Sequence, residues 1–384
     1  MATGSELPLP PYPAVALRVR EAMARPEFGL DEVAHLVGSD AALAAVVLRC
    51  ANSPMYRRGA PATTLSQAIV RVGAQEVMRL LLASCLASHA HAPGAFASLR
   101  RMVWLEGVAG AALCQELARL RGLKQEEAFL IGLLHRFGRI VACTCLESLV
   151  QRYRSEAHPV AIWSQLIERH QAALGLALVN RWQLPGLLAN VILARHADGG
   201  GSPEESGLLD VVKTSDAIVE LMITSPGVSS TDLTKVSGLG KFVEREALGR
   251  IIQKLPDFIN AFEANGAGAE SAPTRIALPD TTLAGGARPV RFTVTVNRGR
   301  QSSQYVAHSI AQNGLAMVGN EPLVDARLHE TTIHSQPGPL HIWSLSALSR
   351  RESGAYHVEL HPFALSGMER GLWVQLVSGA PAGA

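Results

Sequence analysis

The hydrophobic pattern changes period once along this chain, and that change constrains the fold more than any other feature. Over residues 30–263 the apolar residues recur every three to four positions, as on the buried face of a helix. From Arg288 onward they alternate with polar residues, as around Val294, which is typical of strands. The stretch 264–287 is small, polar and rich in Gly and Pro. The sequence therefore predicts three parts: an all-α domain over 1–264, a flexible linker over 265–287 and a small antiparallel β-barrel over 288–379.

Capping residues and helix breakers predict several helix ends. Thr64 and Gln67 match a capping box, and Gly73 supplies a stop for the helix that they begin. Ser39 is the predicted N-cap of a helix that ends near Asn52, because a proline follows two residues later. Further helices are predicted over 98–121, 125–146, 159–182, 186–197, 205–223 and 244–263. Strands are predicted around 292–296, 315–318, 340–343, 356–360 and 372–377.

The amino-acid composition indicates which kinds of partner and which cellular compartment to expect for this chain. Hydrophobic residues make up 48% of the chain, and 35 basic residues nearly balance 33 acidic ones. This balance predicts no dominant field for nucleic acid or a membrane surface. The five cysteines form no disulfide framework, and the pair Cys143 and Cys145 is interpreted as small buried residues of a helix. The N-terminus lacks the pattern of an export signal, and no apolar run reaches about 20 residues, so we expect a cytoplasmic protein without membrane insertion.

Five blocks in the first 220 residues form a recognisable series. The blocks are Leu7-Pro-Leu-Pro-Pro-Tyr-Pro, Asp40-Ala-Ala-Leu through Ala-Asn-Ser-Pro-Met-Tyr56, Thr64-Leu-Ser-Gln-Ala-Ile-Val-Arg-Val-Gly73, Glu127-Ala-Phe-Leu-Ile-Gly-Leu-Leu-His135 and Arg181-Trp-Gln-Leu-Pro185. Together they resemble HDOD domains of bacterial signalling proteins, and they keep the order found in that family. The resemblance implies a helical domain related to the HD phosphohydrolases. It also implies that the full metal site of those enzymes is absent and that the domain acts in regulation.

The resemblance locates the positions that would hold the metal in an HD enzyme. Glu106 stands where the first histidine would lie, His135 is retained, Arg136 replaces the following aspartate, and Asp216 matches the final aspartate. A guanidinium is cationic at physiological pH and has no lone pair to donate to a metal. We therefore expect no metal, no cofactor and no catalytic residue here. Arg136 is expected to pair with Glu106 or Asp216, and His135 to be a hydrogen-bonded core residue.

Residues 288–377 resemble a PilZ-type barrel, whose typical members bind cyclic di-GMP. Arg288 and Arg291 stand near the family's paired arginines, and Ser309 to Gly314 resembles its polar turn. The closing strand is matched by 371–376. The arginine spacing is one residue shorter than usual, and Ala311 replaces the turn's serine, so polar contacts to a nucleotide are lost.

Three functions follow as hypotheses. The leading one is a non-catalytic regulatory protein that binds another signalling or motility protein. The second is a cyclic di-GMP receptor that uses Arg288, Arg291, Ser309 and Gly314. The third is a weak metal-dependent phosphohydrolase. Nucleic-acid binding is not expected, because Arg49, Arg57, Arg58 and Arg71 accompany no recognition helix or aromatic platform.

Overall fold

The computed structural model describes most of the chain, in two compact units. The described residues are 9–153, 160–184, 186–194, 203–224, 233–234, 236, 239, 242–263, 283, 286–298, 301–324, 326–335, 338–365 and 367–379. One unit contains the described residues up to Ser215 together with 257–263, and the other contains those of 216–256 and from 283 onward. The predicted linker over 265–287 lies almost wholly outside the described residues, and the domain boundary at residue 264 stays a prediction.

The region up to residue 263 is helical in its described parts, as the sequence predicts. Its helices are α1 (Ala14–Met23), α2 (Leu30–Gly38), α3 (Ala41–Asn52), α4 (Leu65–Val72), α5 (Ala74–Ala90), α6 (Ala97–Leu120), α7 (Gln125–Leu134), α8 (Phe137–Tyr153), α9 (Val160–Arg181), α10 (Gly186–Ala194), α11 (Pro203–Thr224) and α12 (Phe242–Glu263). The capping box of α4 is present: the Thr64 hydroxyl accepts from the Gln67 amide, and the Gln67 side chain accepts from the Thr64 amide. The predicted N-cap at Ser39 is wrong by one residue, because the Asp40 carboxylate caps α3 and accepts from two amides of its first turn.

The predicted helix over 125–146 is wrong as a single element, because α7 ends at Leu134 and α8 begins at Phe137. Tertiary packing supplies the reason. A Cβ atom added to Gly132 would lie 2.7 Å from the Ala111 Cα, so α7 packs backbone against backbone on α6. Gly138, just after the break, packs equally closely on α9. The stretch 125–149 is long and apolar enough to span a membrane, but 67% of its most apolar 18 residues is buried inside the protein.

The proline-rich segment at the N-terminus packs against the junction between α9 and α10. The Trp182 indole, 2% exposed, donates from Nε1 to the Pro10 carbonyl at 2.9 Å. The Tyr12 ring lies edge-on to the Trp182 ring with their centroids 5.4 Å apart. Two of the motifs that resemble HDOD domains, 172 positions apart in the chain, are therefore in direct contact.

The C-terminal unit contains a closed antiparallel barrel. Its strands are β1 (Arg288–Arg298), β2 (Gln301–Ala311), β3 (Gly314–Gly319), β4 (Leu328–His334), β5 (Pro339–Glu352) and β6 (Ala355–Pro362). Their order around the barrel is β1-β2-β3-β6-β5-β4, and β4 pairs with β1 to close it. The inward side chains form one apolar core that includes Val294, Tyr305 and Met317. Each of the six described strands therefore pairs on both sides, as the predicted barrel requires.

The predicted last strand over 372–377 is wrong, because this segment is a helix, α13 (Gly367–Ser378). Leu372, Val374 and Leu376 alternate along the sequence as in a strand, but the residues that pack on the barrel are Trp373, Leu376 and Val377. That spacing of three and four positions belongs to a helix face. Trp373 is fully buried and donates from Nε1 to the Gln312 carbonyl at 2.9 Å, which fixes the helix on the barrel.

Candidate functional site

Two of the four positions that the resemblance assigns to a metal site, Glu106 and Arg136, belong to an ion-pair network in the helical unit. Arg136 lies in the break between α7 and α8, and its Nη1 donates to Glu106 Oε2 at 2.6 Å. Arg139, one turn into α8, places its own Nη1 3.4 Å from the same oxygen. Glu106 is only 14% exposed, so the solvent screens this pairing weakly. The expected pairing of Arg136 with Glu106 is confirmed.

The network continues from α8 to α9. The Arg139 Nε lies 3.3 Å from Glu168 Oε1, and the Gln171 amide donates to Glu168 Oε2. Sequence analysis missed Arg139, Glu168 and Gln171. A signal was present for Arg139, because it follows Arg136 by three positions and so lies on the same side of a helical turn. No local signal pointed to Glu168, which comes from a different helix.

Glycines allow these helices to approach closely enough for the network to form. Gly107 follows Glu106 directly, and a Cβ atom there would lie 3.3 Å from the Leu133 carbonyl oxygen. Gly138 lies between the two arginines, and a Cβ atom there would lie 2.8 Å from the Gly175 amide nitrogen and closer still to the Gln171 carbonyl oxygen. The packing of α8 on α9 therefore requires bare backbone at Gly138, and the packing of α6 on α7 leaves little room for a side chain at Gly107.

His135 is a buried residue at the end of α7, as the sequence predicts. It is 5% exposed, and its Nδ1 lies 2.9 Å from the Ile131 carbonyl oxygen. A carbonyl oxygen can only accept, so Nδ1 carries the proton in this contact. Asp216 is half-buried on α11, next to Ser215, whose hydroxyl donates to the Gly110 carbonyl at 3.1 Å. Asp216 belongs to the other compact unit.

The electrostatics of the network differ from those of a metal centre. Two guanidinium groups contact the Glu106 carboxylate, whereas a metal centre collects anionic and neutral ligands. Among the described residues, no group of three or more His, Cys, Asp or Glu side chains is arranged to hold a metal ion. The arrangement as it stands can bind helices together and hold Glu106 in place.

A second polar cluster in the helical unit escaped sequence analysis. Glu76 on α5 is 4% exposed, accepts from the Tyr56 hydroxyl at 2.6 Å and pairs with Arg79. The Gln115 amide on α6 donates to it at 3.3 Å. Burial and the adjacent Glu76 carboxylate raise the pKa of Tyr56 well above its ordinary value, so the phenol stays a donor. This cluster anchors the segment after α3 to the core.

In the barrel, the four residues predicted to bind a nucleotide come together where β1, β2 and β3 meet. Pro289, next to Arg288, pairs with Ser309 across β1 and β2, and Gly314 pairs with Ala311 across β2 and β3. Arg291 is exposed, at a register shift of β1. The structure therefore brings these positions together at one end of the barrel.

Two of these four residues have structural contacts that account for them without a ligand. The Arg288 guanidinium donates to the carbonyls of Leu376 and Val377, at 2.7 and 3.1 Å, in the last turn of α13. These bonds satisfy carbonyls that a helix end leaves open. A Cβ atom on Gly314 would lie 2.7 Å from the Leu360 carbonyl oxygen, so β3 needs glycine there to pair with β6.

The sequence model of the HDOD domain matches residues 9–198. Residues 9–198 are an HDOD domain. The matched residues include Glu106 and Arg136, which pair in the structure.

Solved structures and a curated relative resemble the same region. A crystal structure from Shewanella amazonensis SB2B, named as a candidate metal-dependent phosphohydrolase, superposes with a TM-score of 0.53 at 21% identity over 67% of this chain and 93% of that one. A candidate signal transduction protein from Marinobacter aquaeolei VT8 gives a TM-score of 0.46 at 20% identity over 67% and 60%. An uncharacterized protein of Treponema pallidum (strain Nichols) is 23% identical over 227 residues, 56% of this chain, and the match spans only 42% of that relative's length.

Proposed function

We propose that this protein is a non-catalytic regulatory protein whose HDOD domain binds another signalling or motility protein. The observation that carries the proposal is the contact of Arg136 and Arg139 with Glu106. By the resemblance to HD enzymes, Arg136 stands at a metal-ligand position, and Arg139 contacts the same carboxylate as Arg136 does. Both of these positively charged groups contact the Glu106 carboxylate.

The electrostatic repulsion between a metal ion and these guanidinium groups supports the proposal. A divalent ion about 4 Å from a guanidinium is repelled by roughly 8 kcal/mol at the effective dielectric constant of about 20 that describes partly buried sites. Binding a metal beside Glu106 would also require the Arg136 ion pair, at 2.6 Å, to break. The metal would then gain the Glu106 carboxylate while facing the Arg136 and Arg139 guanidinium groups. We therefore expect no metal-activated water and no phosphodiester hydrolysis.

The test combines metal analysis with an enzyme assay. The full chain is purified from cells supplied with manganese and iron, its metal content is measured by elemental analysis, and turnover of bis(p-nitrophenyl) phosphate and of cyclic di-GMP is followed with added Mn²⁺. The His135→Ala variant is the matched control. We expect substoichiometric metal and no turnover that depends on His135. One or more metals per chain, lost together with turnover in His135→Ala, would replace this proposal with a phosphohydrolase.

The partner itself is identified with the full chain as bait in the native bacterial cell, followed by an affinity measurement with the two purified proteins. A saturable complex whose affinity is unchanged by His135→Ala fits a domain that acts by contact rather than by turnover. Failure of every copurified protein to bind directly would leave the HDOD domain without the proposed role. The cytoplasmic location stays a prediction and is checked by cell fractionation.

The second candidate function is a cyclic di-GMP receptor that uses the barrel as a PilZ-like domain. The observation that favours it is the convergence of Arg288, Arg291, Ser309 and Gly314 at one end of the barrel. Against it, Arg288 already donates to two carbonyls of α13. Calorimetric titration with cyclic di-GMP decides between the two functions. Saturable micromolar binding, abolished by Arg291→Ala but kept by Arg351→Ala as the matched arginine control, would establish the receptor.

A further inference from the structure

Two histidines from strands that are not neighbours meet on the outer wall of the barrel. His308 lies on β2 and His357 on β6, and β3 runs between these strands and pairs with both. The two imidazole rings nevertheless have centroids only 6.1 Å apart, with an angle of 64° between their planes. Adjacent strands stand about 4.8 Å apart, so strands separated by a third are about 9.6 Å apart. Both side chains must therefore lean over β3.

A bulge and small side chains bring the two rings together. His308 is an extra residue in the pairing of β2 with β3, because Ala307 pairs with Met317 and Ser309 pairs with Ala316, the next residue along. Such a bulge bends a strand locally and turns a side chain out of its regular direction. Beneath the rings, β3 presents only Ala316 and Val318 on its outer face. Larger residues there would separate the two histidines.

We propose that His308 and His357 form a two-imidazole binding site for a divalent late first-row transition metal, namely Ni²⁺, Cu²⁺ or Zn²⁺. Imidazole nitrogen is a preferred ligand of these ions. With metal–nitrogen bonds of about 2.0–2.1 Å, two imidazoles on one tetrahedral ion have centroids roughly 5–5.5 Å apart. The observed separation of 6.1 Å closes to that value by a small rotation of the exposed His308 side chain or of the half-buried His357 side chain.

The charges around the pair are mixed. Burial and the adjacent His357 lower the pKa of His308, which favours the neutral imidazole that can ligate a metal. Glu359 lies two residues from His357 on the same face of β6 and is half-buried. Arg350 pairs directly with His357 from β5, and Arg291 lies at the bulge opposite His308. The carboxylate of Glu359 offsets part of this positive charge.

Two protein ligands leave coordination positions for other donors. No third His, Cys, Asp or Glu completes a cluster with these histidines in the described part of the chain. Water fills such positions in an open metal site. A donor group on a bound partner can replace that water, so the same surface offers a metal-dependent contact.

The test is a calorimetric titration of the full chain, free of any affinity tag, with Ni²⁺, which prefers imidazole over the thiolates of the cysteines. We expect one saturable site per chain, weakened at least tenfold by His308→Gln and by His357→Gln. His334→Gln is the matched control, because His334 is an exposed barrel histidine on β4 that bonds to Thr295. Absence of a saturable site, or equal affinity in the wild type and His308→Gln, would overturn the proposal.

A second measurement, by nuclear magnetic resonance, distinguishes Ni²⁺ binding at His308 and His357 from binding at the other histidines. Long-range proton–nitrogen spectra resolve the histidine rings, and substoichiometric paramagnetic Ni²⁺ should broaden the signals of His308 and His357 before the others. The His308→Gln variant should lose the selective broadening of His357 while its thermal unfolding midpoint stays that of the wild type. Equal broadening of all exposed histidines would mean adsorption to the surface and would contradict the site.

Discussion

The packing of α8 on α9 allows one sharp test, the substitution Gly138→Ala. A Cβ atom added to Gly138 would lie 2.8 Å from both the carbonyl carbon of Gln171 and the amide nitrogen of Gly175, and closer still to the carbonyl oxygen of Gln171. All three are backbone atoms in the middle of a helix, so no side chain can rotate away. The two helices must separate, and the contact of Arg139 with Glu168 separates with them.

The magnitude follows from two opposing effects. Forcing an extra methyl group into packed backbone destabilises a protein by about 1–3 kcal/mol, and occasionally by more. Replacing glycine by alanine in a helix returns about 1 kcal/mol through backbone entropy. Because the neighbours of Gly138 are rigid, the steric effect lies at the upper end of its range. We expect a net loss of about 2 kcal/mol in the free energy of unfolding.

The matched control is Gly175→Ala, on the facing helix. A Cβ atom on Gly175 would meet the Ile192 side chain at 3.9 Å and the Gly138 backbone at 4.0 Å, which are ordinary van der Waals distances. This variant should therefore be neutral, or more stable by up to about 1 kcal/mol. Urea denaturation followed by far-ultraviolet circular dichroism measures both. Equal stability of the two variants would refute the close approach of α8 and α9.

Three further predictions concern the ion pair, the last helix and the buried thiol. Arg136→Met should lower the free energy of unfolding by about 1–3 kcal/mol, because the Glu106 carboxylate then lacks a hydrogen-bond donor. In urea denaturation, the double variant with Glu106→Gln should lose less than the sum of the two single losses. Additive losses would exclude the pairing. Trp373→Ala should lower the free energy of unfolding of the barrel by about 3–5 kcal/mol, whereas Leu372→Ala should change it little in the same assay. A larger loss for Leu372→Ala than for Trp373→Ala would instead support a strand at these residues. Burial raises the pKa of Cys143 to about 12. Labelling of this thiol by a disulfide reagent at pH 8, mapped by mass spectrometry, should therefore require unfolding. Rapid labelling of the folded chain would contradict its burial.

Sequence reasoning succeeded where the cause is local. The capping box at Thr64 and the end of α3 before a proline depend on neighbouring residues, and both are present in the structure. The resemblance to HDOD domains left Glu106 and Asp216 open as partners of Arg136, and the structure shows the pairing with Glu106. The sequence predicts that Arg288 and Arg291 lie at the start of the barrel. The contact of Arg288 with α13 was not predictable from it.

Sequence reasoning failed where a contact between distant segments decides the outcome. The break at His135 exists because α7 packs on α6 and α8 packs on α9, and neither partner is visible in the pattern of 125–146. Glu168 joins the network only because α9 lies beside α8. Each of these features depends on which surfaces meet.

The sequence by itself determined that a helical region precedes a β-region, since the spacing of apolar residues fixes which backbone period can bury them. Only the tertiary structure decided the state of residues 367–378 and the meeting of His308 with His357. The apolar residues of the last segment fit a strand or a helix equally well along the chain, and burial of Trp373 against the barrel selected the helix. The two histidines are 49 positions apart, and it is the bulge in β2 and the small residues of β3 that bring their rings into contact.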